Sequence, residues 1–253
     1  MAATAPNPTA QLTVARPYLV RQDCAAYTPG QHAMWGDLVR RTMAQLRHHA
    51  CQEYLDGLEQ IGLREDRVPD LAAITRRLLP RTGWSSTPVS GFLPPDAFFE
   101  MLAMRHFPTT TWLRDKSSME YTPEPDIFHD VFGHVPMHAH PVFADFLQYY
   151  GKVCAALMGR KDDLERMGRL FWFTVEFGVI RQQGEIKVYG SGLASSHGEC
   201  GHVMHGGPEI RDFRLDQVME QRFSVSEMQP VLYAVESFEQ IYEAAREAER
   251  RLG

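Results

Sequence analysis

The sequence predicts a mainly α domain of the α+β class, on three observations. Apolar residues recur at three- and four-residue steps along most of the chain, short β-branched stretches occur at only a few places, and the composition is that of a globular protein. Of 253 residues, 44% are apolar and 23% charged, with glycine and proline scattered. That length can bury one substantial core and lies near the size at which chains divide, so one domain of packed helices with a few short strands is expected over residues 21–253.

Residues 1–20, rich in Ala, Thr, Pro and Asn without periodicity, predict a flexible leader outside the fold. From Pro29 to Gly62, apolar residues including Trp35, Leu38, Val39, Leu46, Tyr54, Leu58 and Ile61 mark an amphipathic helix closed by a glycine. A shorter helix is expected from Asp70 to Leu79, stopped by Pro80. Pro94-Pro95-Asp96 opens another, carrying Phe98, Phe99, Leu102 and Met104 and closed by Pro108 before the β-branched Thr109-Thr110-Thr111.

Three further helices are predicted near Pro125–Phe132, Pro141–Met158 and Asp162–Phe177, each begun by Pro or Asp and two ended by Gly133 and Gly178. A short strand at Ile186–Val188, a loop at Gly190-Ser191-Gly192 and a polar Gly/His-rich segment to Pro208 come next. Toward the end stand a helix at Leu215–Arg222, a strand at Val231–Val235 and an amphipathic helix from Ser237 with Gln240 in capping-box position.

The formal charge is −6 and no Lys/Arg block stands out, so a small-molecule partner is expected rather than a nucleic acid. No run approaches the roughly 20 apolar residues that span a bilayer, and Met1-Ala2-Ala3-Thr4 does not read as a secretory signal. The expected location is the cytoplasm, away from membranes. Cys24, Cys51, Cys154 and Cys200 are widely separated and form no CxxC pair, so free thiols are expected.

Chemistry concentrates in Phe128-His129-Asp130-Val131-Phe132-Gly133-His134, which sets two imidazoles five residues apart. An uninterrupted α-helix would turn them about 140° from each other, so a break at Gly133 is expected to fold His134 back toward His129. The natural third ligand is Glu176, because a carboxylate among Phe173, Val175 and Phe177 is costly to desolvate unless paired or bound to metal. Two imidazoles and one carboxylate suit a redox metal with open positions. Many helices carry such histidine pairs for structural reasons alone, and the pair gains weight only with Glu176 beside it. A zinc hydrolase could use the same three groups, but the zinc-protease pattern has histidines four apart with Glu after the first, where this chain has five and Asp130. His197, Cys200, His202 and His205 match no structural zinc spacing and read as solvated loop.

Those residues, together with Tyr121-Thr122-Pro123-Glu124-Pro125-Asp126, Trp172–Gly178 and Tyr189-Gly190-Ser191-Gly192-Leu193-Ala194-Ser195-Ser196, give the chain a clear likeness over about Tyr27–Tyr242. It resembles the pterin-dependent aromatic amino acid hydroxylases, the short bacterial phenylalanine hydroxylases most of all. The resemblance implies Fe(II) on His129, His134 and Glu176, with tetrahydrobiopterin or a related tetrahydropterin and O2 as co-substrates. Arg114 then corresponds to the clamp on the substrate carboxylate and Asp126 to its partner. Thr122 and Ser195 correspond to substrate-contacting hydroxyls, and Trp172 and Pro123 to walls of the aromatic pocket. Phe98 corresponds to the ring stacked on the pterin, Gly91-Phe92-Leu93 to the loop that hydrogen-bonds it, and Asp130 to an acidic residue beside it. Asp130, Trp172 and Ser195 thereby fall closest to the chemistry.

Trp172 resembles the phenylalanine and tyrosine enzymes, where tryptophan hydroxylases usually carry Phe, and Val225 resembles the phenylalanine type, where tyrosine hydroxylases have Asp, so the resemblance points to hydroxylation of L-phenylalanine to L-tyrosine. Hydroxylation of tryptophan or of another ring position is the alternative within the family. Phe171 in place of a common Tyr, Asp130 in place of the animal Glu and the unusual residues 197–208 are departures that bear on that choice. Animal members add a regulatory domain and an assembling helix, for which this chain has no room, so a monomer without amino-acid allostery is expected. A metal-binding protein on a decayed scaffold would not retain Arg114, Ser195 and all three ligands.

Overall fold

The computed structural model describes residues 8–119, 122, 124–225 and 227–253. Helix α1 (Pro29–His49) opens on a capping box in which Thr28 and Gln31 satisfy each other's backbone, with Pro29 in the first turn. The helix expected to run unbroken to Gly62 is two. Ala50 and Cys51 are extended, and Cys51 N–H donates to Val188 O at 2.9 Å before α2 (Gln52–Ile61) begins. Apolar spacing continues across that step, so it leaves no mark in the pattern. Gly62, at φ 67°, caps α2 in the left-handed region.

Helix α3 (Leu71–Thr82) starts on the Asp70 side chain and runs through Pro80 to Gly83, so the expected stop at Pro80 does not occur. A proline in the last turn removes one hydrogen bond, and the left-handed glycine sets the end. Strand β1 (Ser85–Val89), unexpected from its sequence, pairs in parallel with β2 (His106–Thr110), and α4 (Pro95–Ala103) crosses between them. Pro108 therefore lies inside β2 and does not close α4.

The buried helix α5 (Pro141–Ala156) supplies Phe143, Phe146, Leu147 and Tyr150 to the core and packs on α4 and on the last helix, α10 (Phe238–Leu252). Helix α6 spans Lys161–Phe171. The second sheet orders β4 (Glu185–Val188), β3 (Val179–Gln182), β6 (Val231–Val235) and β5 (Glu209–Asp212), with only β3–β4 antiparallel. Of the short helices α7 (Ser191–Ser195), α8 (His197–Met204) and α9 (Leu215–Glu220), α7 packs on residues 128–134, α8 on α1 and α9 on α6. At α10, Gln240 Oε1 accepts from Glu236 N rather than from Ser237, which forms no side-chain cap.

Two further expectations are corrected. The segment 197–208 is not open loop: its first two thirds are α8, N-capped by Ser196 and anchored by fully buried Cys200. The described part of the leader is not free either, since Leu12 and Ala15 are fully buried in a small core with Val89, Ala97 and Met101. All four cysteines are free thiols. Among the described residues no helix is long and apolar enough to cross a membrane.

Candidate metal centre and its cavity

The two histidines are brought together by a change of helical winding. Residues Phe128–His134 form a π turn with i→i+5 hydrogen bonds, which stacks residues five apart on one face as an α-helix stacks residues four apart. Gly133 does not break the helix as expected. It is needed because a Cβ there would sit 2.9 Å from Ser191 O of α7. Glu176 ends a second π turn, Trp172–Glu176, continuous with α6, in which Phe177 N–H donates to Trp172 O at 2.8 Å.

The potential ligand atoms of His129, His134 and Glu176 lie within 4.8 Å of one another. His134 Nε2 is 3.2 Å from His129 Nε2 and 3.1 Å from Glu176 Oε1, and His129 Nε2 is 3.7 Å from Glu176 Oε2. A triangle of that size is what one ion subtends at ligand distances of roughly 2.0–2.2 Å. The next layer fixes which atoms face it. Ser195 Oγ donates to Ser191 O at 2.7 Å, so it can only accept from His129 Nδ1–H at 2.9 Å, leaving the Nε2 lone pair for metal. Ser191 Oγ donates to Glu176 Oε2 at 2.7 Å.

Burial, seconded by His134 against the pull of Glu176, pushes His129 down to about 4. Burial alone would raise Glu176, but the two imidazoles and the Ser191 hydroxyl outweigh it and hold the carboxyl below its usual range. His129 is thus neutral and Glu176 ionised at neutral pH, the forms in which these groups bind a divalent cation. Two imidazoles and one carboxylate on one face form the donor set suited to non-haem Fe(II) with vacant positions, so the residues fit that metal.

These atoms line one wall of a cavity of about 360 Å³ that is otherwise mostly apolar. Phe98, Phe107, Phe171, Leu93 and Tyr150 make its other walls, with Phe98 edge-on to Phe171 at 6.0 Å and Phe107 against the His134 ring at 4.7 Å. Gly91 and Phe92 stand at its mouth, Phe92 being 78% exposed. Asp130 also lines it, and Thr110 donates to its Oδ2 from both N–H and hydroxyl, at 2.7 Å each. Burial pushes the Asp130 carboxyl up to about 7 against those bonds.

Arg114 and Asp126 form a buried bidentate pair, Nε to Oδ2 at 2.9 Å and Nη2 to Oδ1 at 2.7 Å. Asp126 also accepts from Arg114 N and His129 N, both at 3.0 Å, so it joins the arginine to the start of the first π turn. Burial would raise the Asp126 carboxyl, and Arg114 with these N–H donors holds it low instead. Arg114 Nη1 makes only a 3.5 Å contact with Met119 O among the described residues.

Trp172 stacks on Phe223 at 4.2 Å and donates from Nε1 to Gln229 Oε1 at 3.0 Å. Thr122 donates its hydroxyl to Glu124 O at 2.7 Å. Val225 is 67% exposed and is not among the residues lining the metal cavity. Pro123 lies outside the described residues. Sequence reasoning missed Ser191, Thr110, Phe107 and Gln229. The Gly-Ser-Gly context of Ser191 was the one available signal, since the partners of the others come from distant segments.

Comparison with known proteins agrees with this construction. The family described as biopterin-dependent aromatic amino acid hydroxylase matches residues 15–252. Phenylalanine-4-hydroxylase of Chromobacterium violaceum is 39% identical over 233 residues, 91% of this chain and 77% of that protein. Tyrosine 3-monooxygenase of Rattus norvegicus is also 39% identical, over 216 residues that are 84% of this chain and 43% of that protein. The crystal structure of the Chromobacterium violaceum phenylalanine hydroxylase with bound iron(III) and 7,8-dihydrobiopterin superimposes at TM-score 0.88 and 36% identity, covering 99% of this chain and 93% of that one. By sequence, fold and the donor set gathered at its centre, the chain belongs to the biopterin-dependent aromatic amino acid hydroxylases.

Proposed function

We propose that the chain is a monooxygenase that converts L-phenylalanine to L-tyrosine with Fe(II), a tetrahydropterin and O2. The observation that carries this is the His129, His134 and Glu176 face opening onto an aromatic-lined cavity large enough for a planar cofactor. When bound, iron and tetrahydropterin supply the activation of dioxygen, the pterin furnishing two electrons.

The chain's own residues hold and orient. His129, kept in one tautomer by Ser195, His134 against Phe107, and Glu176, steadied by Ser191, hold the metal. Phe98 and the Gly91-Phe92-Leu93 loop hold the pterin ring, and Phe107, Phe171 and Tyr150 keep water from it. Asp130, which is fixed by Thr110, faces the same cavity as a polar group in an apolar wall. Arg114 offers its guanidinium, whose Nη1 has only the 3.5 Å contact with Met119 O among the described residues, to the substrate carboxylate, and the roles of Thr122, Pro123, Trp172 and Ser195 in the amino acid pocket are those the resemblance assigns. The phenylalanine assignment is supported by Trp172 and Val225 and by the phenylalanine-4-hydroxylases among the relatives, although a tyrosine 3-monooxygenase is equally identical.

The test is reconstitution with ferrous iron, tetrahydrobiopterin and oxygen. Tyrosine formed from phenylalanine is expected; hydroxylation of tryptophan in preference would overturn the substrate, and hydrolytic turnover with zinc in the absence of oxygen would overturn the reaction class.

A further inference from the structure

Residues 12–20, though remote from the metal in sequence, form a strap against the cavity wall. The Glu100 carboxylate on α4 accepts from the backbone N–H groups of Thr13 (3.0 Å), Val14 (3.1 Å) and Ala15 (2.8 Å), and from the Thr13 hydroxyl (2.6 Å). Burial would raise that carboxyl, and these four donors outweigh it and hold it low. Four donors converging on one carboxylate make a charge-assisted anchor for a segment 85–87 residues away.

Beyond the anchor, the strap pairs with the edge of β1. Val20 N–H donates to Pro88 O at 3.1 Å, Ser90 N–H donates to Tyr18 O at 2.9 Å, and Leu19 bridges Val89. Leu12 and Ala15 share a small core with Val89, Ala97 and Met101, against which Tyr18, Leu19 and Leu93 pack, and Val89 and Leu93 both line the cavity. The chain from Val89 to Leu93 is thus held between the strap and the space assigned to the pterin, and its Gly91, at φ 148°, cannot stiffen it unaided.

We infer that Glu100 is a positioning residue for pterin binding, acting through the 12–20 strap to fix the Gly91–Leu93 loop. The inference rests on the pterin reading of the cavity. Its logic is preorganisation: a loop already ordered loses less entropy when the cofactor docks.

Glu100→Gln replaces one acceptor oxygen with a donor and so cannot satisfy all four groups, while keeping the volume of the side chain. Leu12→Ala loosens the same end of the strap through its packing instead of its hydrogen bonds. Binding of 7,8-dihydrobiopterin is measured by titration calorimetry on the iron-loaded proteins, hydrogen exchange is followed over residues 12–20 and 90–93, and KM is determined for each substrate. Both variants are expected to exchange faster in both segments and to bind the pterin about five- to tenfold more weakly, the equivalent of roughly one ordinary hydrogen bond, with KM for phenylalanine at its wild-type value. Unchanged pterin affinity beside faster strap exchange, an equal rise in both KM values, or unchanged exchange in both variants would each overturn the inference. Wild-type protein that binds no dihydrobiopterin would instead overturn the reading on which it rests.

Discussion

At the residue scale, the roles that can be read from the sequence are those that chemical identity imposes. His129, His134 and Glu176 were legible because a carboxylate among aromatics and a close imidazole pair call for a partner. Ser191 and Thr110 were not, because their importance lies in what a separate element brings to them. The structure also refines a prediction for Arg114. Arg114→Ala should raise KM for phenylalanine, and it also strands the fully buried Asp126 carboxylate, which costs on the order of 3–5 kcal/mol when a buried pair loses one member. A lower melting temperature with iron content retained is expected alongside the kinetic change, and loss of iron instead would remove Arg114 from the role of clamp.

His138 gives a second residue-level prediction. It is fully buried, stacked on Trp84 at 4.8 Å, and neither ring nitrogen has a hydrogen-bond partner among the described residues. Burial holds its pKa well below the ordinary value of about 6.5, so the unfolded chain takes up the proton first and stability is lost as pH falls below about 6.5. His138→Leu, compared with wild type by urea unfolding of the metal-free proteins, should show a stability advantage that is larger at pH 5.5 than at pH 7.5. An advantage independent of pH would mean that His138 takes up its proton in the folded protein.

At the element scale, the long helices declared themselves through three- and four-residue spacing and proline starts, and α5, α10 and α4 lie close to where these signals put them. The π turns could not be seen that way, because their five-residue repeat looks like a break in an α pattern, and it is this repeat that assembles the ligands. Strands β1, β3 and β5 escaped notice because four or five residues with Pro88, Arg181 or Arg211 in them lack clear alternation. Gly133→Ala tests the packing of the first π turn. Its methyl group would meet Ser191 O and Cβ at 2.9 and 3.1 Å, where backbone must move, so a destabilisation of about 1–3 kcal/mol and weakened iron binding are expected. Calorimetry and iron analysis check both, and a variant with full iron content would show that α7 yields without disturbing the ligands.

At the scale of the whole molecule, the ligands come from segments that only the folded chain unites, so metal binding should stabilise the fold by mass action. At a hundredfold excess over Kd, ferrous iron should raise the melting temperature by about 5–10 °C in the wild type. In Glu176→Ala the shift should vanish, together with activity. A shift that survives the substitution would place the stabilising ion elsewhere.

The carboxylates on either side of His129 are both moored to the extended run 110–114, Asp130 at Thr110 and Asp126 at Arg114. A molecule that tugs the guanidinium therefore pulls, through Asp126, on the backbone amide of His129, two hydrogen bonds from the arginine. An amino acid held by that guanidinium would lie, by way of one carboxylate, next to the backbone of a candidate ligand to the metal.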